Sequence, residues 1–371
     1  ERMKHLTELE NAIKQTNGKI ARIPKGNMVY AAATHFKPEG QFKPTNGKPR
    51  AIRFLHRGEV TLPRDEVKPG TIPVFKDESW EFELPKDHQE SQRRSALAKW
   101  LTRKDHPLTW RAIANRVWQW HFGAGIVSSP NDFGGLGQKP THPELLDWLA
   151  IHFRDNGGSF KKLHKLLLMS STYRQSSNGN ESFAQADSGN RLLWRMNRRK
   201  LSAEEVRDSI LTVSGKLNLD MGGPGYYLFA LEKTAHSPHY EYHKFNPEDA
   251  RSHRRSIYRF IVRSQPNPFM TTLDCADSSQ STPKRNETLT ALQALSLLNN
   301  KFTLAMAQHF AKRLEKQSTD RTAKIRLGHL LVTGRLPAQQ EEKLLIEYAE
   351  KHGMPNLCRA LFNLSEFTYI D

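Results

Sequence analysis

The chain has 371 residues, 37% of them hydrophobic, and a mean hydropathy of −0.69. That is polar for a folded protein but well above disordered composition, and no apolar run reaches the roughly 18 to 20 residues of a membrane-spanning helix. A formal charge of +17 favours acidic partners such as nucleic acid, anionic lipid or acidic polysaccharide. The basic residues are spread along the chain instead of forming an arm, which disfavours dedicated nucleic-acid binding. Two cysteines, Cys275 and Cys358, are too few for a disulfide scaffold or a Cys-rich zinc site. They could pair with each other in an oxidising compartment, and their spacing leaves that open.

In chain order, residues 1–24 read as the end of a helical hairpin or coiled coil. Met3, Leu6, Leu9 and Ile13 share a stripe, and Asn17-Gly18 supplies a stop over residues 1–17. The sequence opens at Glu1 inside this helical pattern, so we read it as a piece of a longer protein. Residues 25–90 form a small β-containing segment. Short runs at Met28–Tyr30, Ala51–Leu55 and Thr71–Phe75 are strand-like, the last demoted to an edge by Pro73.

Residues 91–371 read as one helical domain, so the fold class is mainly α, a multi-helix domain preceded by a small β-containing segment. A helix over Arg93–Arg103 is followed by one from about Pro107 to His121. The second carries Trp110, Ile113, Val117 and Trp118 around most of its circumference and should be central. Thr141-His142-Pro143-Glu144 and Ser202-Ala203-Glu204-Glu205 both have capping-box spacing. Ser159 caps a helix through Met169. Residues 215–250 read as a long polar loop, and such loops are often functional. Helix returns over 286–317 with a break at Asn299-Asn300, and then over 322–333, 338–352 and 357–362. Trp100, Trp110, Val117, Trp118, Leu145, Leu149, Leu166 and Leu295 are expected in one connected core.

Two sets of residues carry candidate chemistry. His121, Asp132, His142 and Glu144 are of the types that exchange protons or bind divalent metal, and they stand as the candidate catalytic cleft. The competing reading makes Asp132 the brace of a glycine turn and Glu144 part of a cap. Arg116 lies on the central helix and needs a partner if buried, with Asp132 and Asp147 as candidates. Arg195, Arg198, Arg199 and Lys200, interleaved with Trp194, complete a candidate anion-binding set. Glu204, Glu205 and Asp208 are their alternative partners. His236, His239 and His243 have spacing that could ligate metal, but a mobile polar loop explains them as well. Asn131-Asp132-Phe133-Gly134 lacks the rest of a kinase set, and Gly137-Gln138-Lys139 does not fit a phosphate-binding loop. Nucleotide turnover is not expected.

The stretch from Arg93 to Ser177 closely resembles the signature of the DUF1553 family, also called PSD1. Asn190–Leu201 is similar to the family's N-R-L-L-W-R-x-x-R-R-[RK]-L. Thr288–Asn299 is similar to T-x-x-Q-A-L-x-L-L-N, and Ala360–Phe367 to A-L-x-N-[ST]-x-E-F, with Leu364 in place of the hydroxyl residue. The resemblance covers essentially residues 28–371. It implies an exported, extracytoplasmic protein of planctomycetes and related bacteria, in which a DUF1549 domain and often a cytochrome-c-like domain precede this part. Those domains are the implied partners. Haem c is implied for a separate domain of the parent protein; no C-x-x-C-H occurs here, and no cofactor is expected in this chain. The family context points to polysaccharide metabolism. The leading expectation is therefore an accessory or binding module of a haem-associated protein, engaging a partner domain or anionic polysaccharide. The alternative is an enzyme built on the Asp/His/Glu cleft.

Overall fold

The computed structural model describes residues 2–22, 36–72, 80–233 and 237–370. Met28–Tyr30, most of Thr71–Phe75 and His236 lie outside the described residues. The protein is mainly α, and it divides into two compact units, 1–106 and 107–371.

The first unit begins with α1 (Arg2–Ala21), which runs through Asn17-Gly18 and does not stop there. Its side chains from Met3 onward are exposed. β1 (Arg53–Leu55) pairs antiparallel with β2 (Pro63–Glu66). Between them His56–Gly58 makes one tight helical turn in which Arg57 adopts φ 49°. α2 (Glu90–Leu101) belongs to this unit. Local contacts explain why: Glu90 N donates to Gly47 O, and Trp100 meets the His106 ring edge-on at 4.5 Å.

Among the described residues the second unit holds two hydrophobic core clusters, where one connected core was expected. The first is built from α3 (Thr109–Phe122), α4 (Pro143–Asp155) and α5 (Phe160–Met169). Val117, Trp118 and Leu149 are buried in it, Trp110, Leu145 and Leu166 pack against it, and Trp118 stacks on Phe122 at 4.0 Å. Ser159 accepts from Lys162 N at the start of α5, as its sequence position predicts. The Thr141–Glu144 capping box does not form. α4 starts one residue later, with His142 at the cap and Pro143 in the first position, while Thr141 N is spent on Ile126 O.

The chain then passes α6 (Glu181–Ala186) and β3 (Arg199–Lys200) to α7 (Ala203–Val213). Here the Ser202–Glu205 capping box is complete. The 215–250 segment is more ordered than its polarity suggests. β4 (Ala230–Lys233) and β5 (Pro238–Glu241) pair as an antiparallel hairpin, with Phe229 at its base among the rings of Tyr227, Tyr240, Tyr242 and Phe260. Next come α8 (Pro268–Thr272), α9 (Ala291–Asn299) and α10 (Lys301–Gln317). Asn300 ends α9 and caps α10 by accepting from Phe302 N, so the predicted break falls there. α9 begins at Ala291 and not at 286.

α11 (Arg321–Thr333), α12 (Gln339–His352), α13 (Met354–Leu361) and α14 (Ser365–Thr368) complete the second core around α7 and α10. Phe310 and Phe362, both fully buried, stack at 5.7 Å. Leu295, expected inside, is 53% exposed. The final strand β6 (Tyr369–Ile370) returns to pair with β3, Lys200 opposite Tyr369. That pairing fixes the backbone of Arg199 and Lys200 at the edge of the cleft described next. Cys275 and Cys358 are both free thiols.

Candidate functional site

A cleft of about 410 Å³ opens in the second unit where α3, the β3–α7 segment and the 273–287 loop meet. Three families of side chain form it. From α3 come Arg116, Gln119 and Trp120, the last 57% exposed. β3 and α7 contribute Arg199, Lys200, Ser202 and Glu205, and the loop adds Asp274, Lys284, Arg285 and Glu287.

The floor is an interlocked set of ion pairs. Lys200, buried, directs Nζ at Asp274 Oδ2 (3.0 Å), Gln293 Oε1 (2.9 Å) and Thr288 O (2.5 Å), which matches its three protons to three acceptors. Asp274 also accepts from Thr288 N, Thr288 Oγ1 and Gln293 Nε2. Arg199 donates to Glu205 from both terminal nitrogens, and Ser202 donates N–H and O–H to the same carboxylate. Arg285 grips Glu204 in a two-point contact, and Cys275 Sγ donates to Glu204 Oε1 at 3.4 Å.

These contacts decide the charge state of the floor. Burial pulls the Glu205 carboxyl upward, but Arg199 and the Ser202 bonds outweigh it and hold it below the ordinary carboxylate range. The same balance holds for Asp274, with Lys200, Thr288 and Gln293 as the counterweights, and for Glu204, with Arg285 and Cys275. All three are therefore ionised at neutral pH, and none is a proton donor there. Cys275 moves the other way: burial, then the neighbouring Glu204 charge, push its thiol up and keep it protonated.

The cleft walls are different. Arg116 Nη2 bonds the Asn131 amide oxygen at 2.7 Å, a neutral partner and not Asp132 or Asp147. Asp147 pairs instead with Arg111. Gln119 reaches across to Pro283 O, and Asn131 to Ser281 Oγ, so α3 and its following loop hold the 280s segment over the cleft. Lys284 and Glu287 are exposed and both line the cleft.

The candidate catalytic residues have separate local duties. Asp132 Oδ1 accepts from Gly134 N at 2.9 Å, bracing the glycine turn. A Cβ on Gly137 would sit 2.2 Å from Asp132 O, so only glycine closes that turn. His142 Nδ1 meets Thr141 Oγ1, and Glu144 lies exposed in the first turn of α4. His121 Nε2 pairs with His164 Nδ1 at 2.7 Å, under the edge of Tyr173. Burial, then His164 and Arg199, hold His121 below the usual imidazole range. None of the four lines the cleft. Among the described residues there is no group of three or more His, Cys, Asp and Glu side chains that could hold a metal ion.

Of the anion-binding set, Arg116, Arg199 and Lys200 meet in the cleft. Arg195 lies over the Trp194 ring at 5.1 Å, and Arg198 is exposed. The acidic helix start does take Arg199 through Glu205, whereas Glu204 goes to Arg285 and Asp208 to Ser256. Sequence reasoning missed Trp120, Lys284, Arg285 and Asp274, and it gave Thr288 and Gln293 no part in a site. The available signal was Gln293, a polar residue set among the Ala and Leu residues of α9, and the structure buries it at 4% exposure.

The profile of the PSD1 family, described as a protein of unknown function (DUF1553), matches residues 93–349. The chain belongs to the PSD1 family. No curated protein and no solved structure matched it. The PSD1 match takes in α3, the β3–α7 segment and the 273–287 loop, so the whole cleft lies inside the family's own span.

Proposed function

We propose that this PSD1 chain is an accessory binding module of an exported, haem-associated bacterial protein, and that the cleft holds an acidic glycan. One observation carries the ligand class. The floor carboxylates Glu205 and Asp274 are each neutralised by a floor cation. Of the remaining charged lining residues Arg116, Lys284 and Arg285 are basic and Glu287 is acidic, so the field a ligand meets beside the exposed Trp120 ring is net positive. An aromatic face next to guanidinium and ammonium groups suits a sugar ring bearing sulfate or carboxylate. The overall charge of +17 adds long-range attraction for the same class. With the floor carboxylates ionised and saturated, the arrangement suits binding better than acid–base chemistry. The exported setting and the haem-bearing and DUF1549 partner domains are carried over from the resemblance of the sequence to the family signature, as part of the proposal.

The test is titration of the chain with a sulfated polysaccharide. Binding at low salt that weakens steadily as salt rises is the expected result. Absence of binding to every acidic polymer at low salt would leave only a partner-domain role.

A further inference from the structure

A second cavity, of about 430 Å³, lies in the same unit between α7, the base of the β4–β5 hairpin, α8 and the α9–α10 junction. Tyr242, Phe245, Phe269 and Phe302 give it aromatic walls. Three sources of positive potential converge on it. The first is Arg207, which is 1% exposed. Its guanidinium donates to Ser252 O, Arg254 O and Ser256 Oγ, all neutral oxygens, and lies 5.2 and 5.1 Å from the Tyr226 and Phe302 rings. The nearest carboxylate, Asp208, is 3.8 Å away and bonds both the N–H and the O–H of Ser256. The second is Lys301, whose ammonium lies 5.9 Å from the Phe245 ring and bonds His243 O. The third is the first turn of α10, where Asn300, Lys301 and Phe302 all line the cavity, so the positive end of a 17-residue helix faces it.

No carboxylate is among the described residues that line this cavity. A guanidinium taken out of water needs compensating negative charge; Asp208, three neutral oxygens and two ring faces supply it here, and none of the residues that contribute those oxygens lines the cavity. The structure therefore assigns this cavity to a small ring-bearing carboxylate, its ring against the aromatic walls and its anionic end toward Lys301, Arg207 and the start of α10. A free uronic acid and an aromatic acid share that chemistry. The assignment is independent of the acidic-glycan cleft, which shares no lining residue with this cavity.

Isothermal titration of the full chain with D-glucuronate, benzoate, D-glucose, benzamide and acetate tests it. One of the two ring acids should bind with 1:1 stoichiometry, and which one does so identifies the source. Its neutral counterpart, and ringless acetate, should bind at least about tenfold more weakly. Lys301→Ala should weaken the acid about tenfold, and Trp120→Ala should leave it unchanged. Arg207→Met tests the buried charge directly, with its circular dichroism and melting compared with wild type. If it does not fold, Lys301→Ala decides alone. Failure of both acids to bind at millimolar concentration, equal binding of acid and neutral analogue, or full retention of binding in Lys301→Ala would overturn the assignment.

Discussion

Lys200 and Asp274, 74 residues apart in sequence, meet at 3.0 Å beneath the cleft and tie the β3–α7 segment to the loop that follows α8. Their side chains are 7% and 14% exposed. Removing one member of such a pair strands the other charge. Lys200→Met should therefore cost about 3 kcal/mol or more in denaturant unfolding. A loss below about 0.5 kcal/mol would show that water replaces the ammonium at no cost.

Asp274 also sits at φ 64°, a left-handed backbone that aspartate and asparagine tolerate better than most residues. Asp274→Asn should thus be less destabilising than Asp274→Ala, even though both remove the charge. The two variants compared by thermal melting separate backbone strain from ion pairing, and equal losses would assign the whole effect to the charge.

Stability should fall in two steps on acidification. His121 is held below the usual imidazole range, so the unfolded chain binds a proton that the folded one resists. Its contribution is complete above the unfolded value of about 6.5 and is lost as pH drops from there through the lower folded value. Glu204, Glu205 and Asp274 are also depressed, and their contribution is lost below about pH 4. Urea unfolding from pH 8 to 3 reads both steps. In His121→Phe the upper step should shrink, and an unchanged upper step would assign it to other groups.

Trp118, 5% exposed and stacked on Phe122, should cost about 3–5 kcal/mol when replaced by Ala. Near-neutrality would contradict its place in the first core.

The two thiols should be poor nucleophiles in the native protein. Burial pushes Cys358 up to about 12, and Cys275 is raised by burial and by Glu204. Alkylation at pH 8 should be slow for both until denaturant is added, with Cys275 the faster. Rapid native labelling of Cys358 would show that α13 opens locally.

Much of the architecture was legible because it is written in local signals. The Ser202–Glu205 box, the Ser159 cap and the Asn300 break each use hydrogen bonds within four residues, so spacing alone reveals them. The cleft is a different matter. Its floor joins Lys200 to Asp274, Thr288 and Gln293, separations that no periodicity encodes. Basic residues near 199–200 were visible as a cluster, and Glu205 was visible as a partner for Arg199, but Asp274 as the partner of Lys200 was not, nor was the exposure of Trp120. Thr141–Glu144 shows the converse: the capping-box letters are present, yet the Thr141 amide pairs with Ile126 and the helix starts one residue later.

The central claim is that the cleft beside Trp120 holds an acidic glycan, and one titration addresses it most directly. Wild type, the Arg116→Ala/Lys284→Ala double variant, Trp120→Ala and the control Arg198→Ala are titrated with chondroitin sulfate at ~20 mM salt, where screening is weak. The account predicts that the double variant and Trp120→Ala each lose about tenfold in affinity while Arg198→Ala loses little. Equal affinity in all four proteins would place any binding on the general basic surface and contradict the cleft.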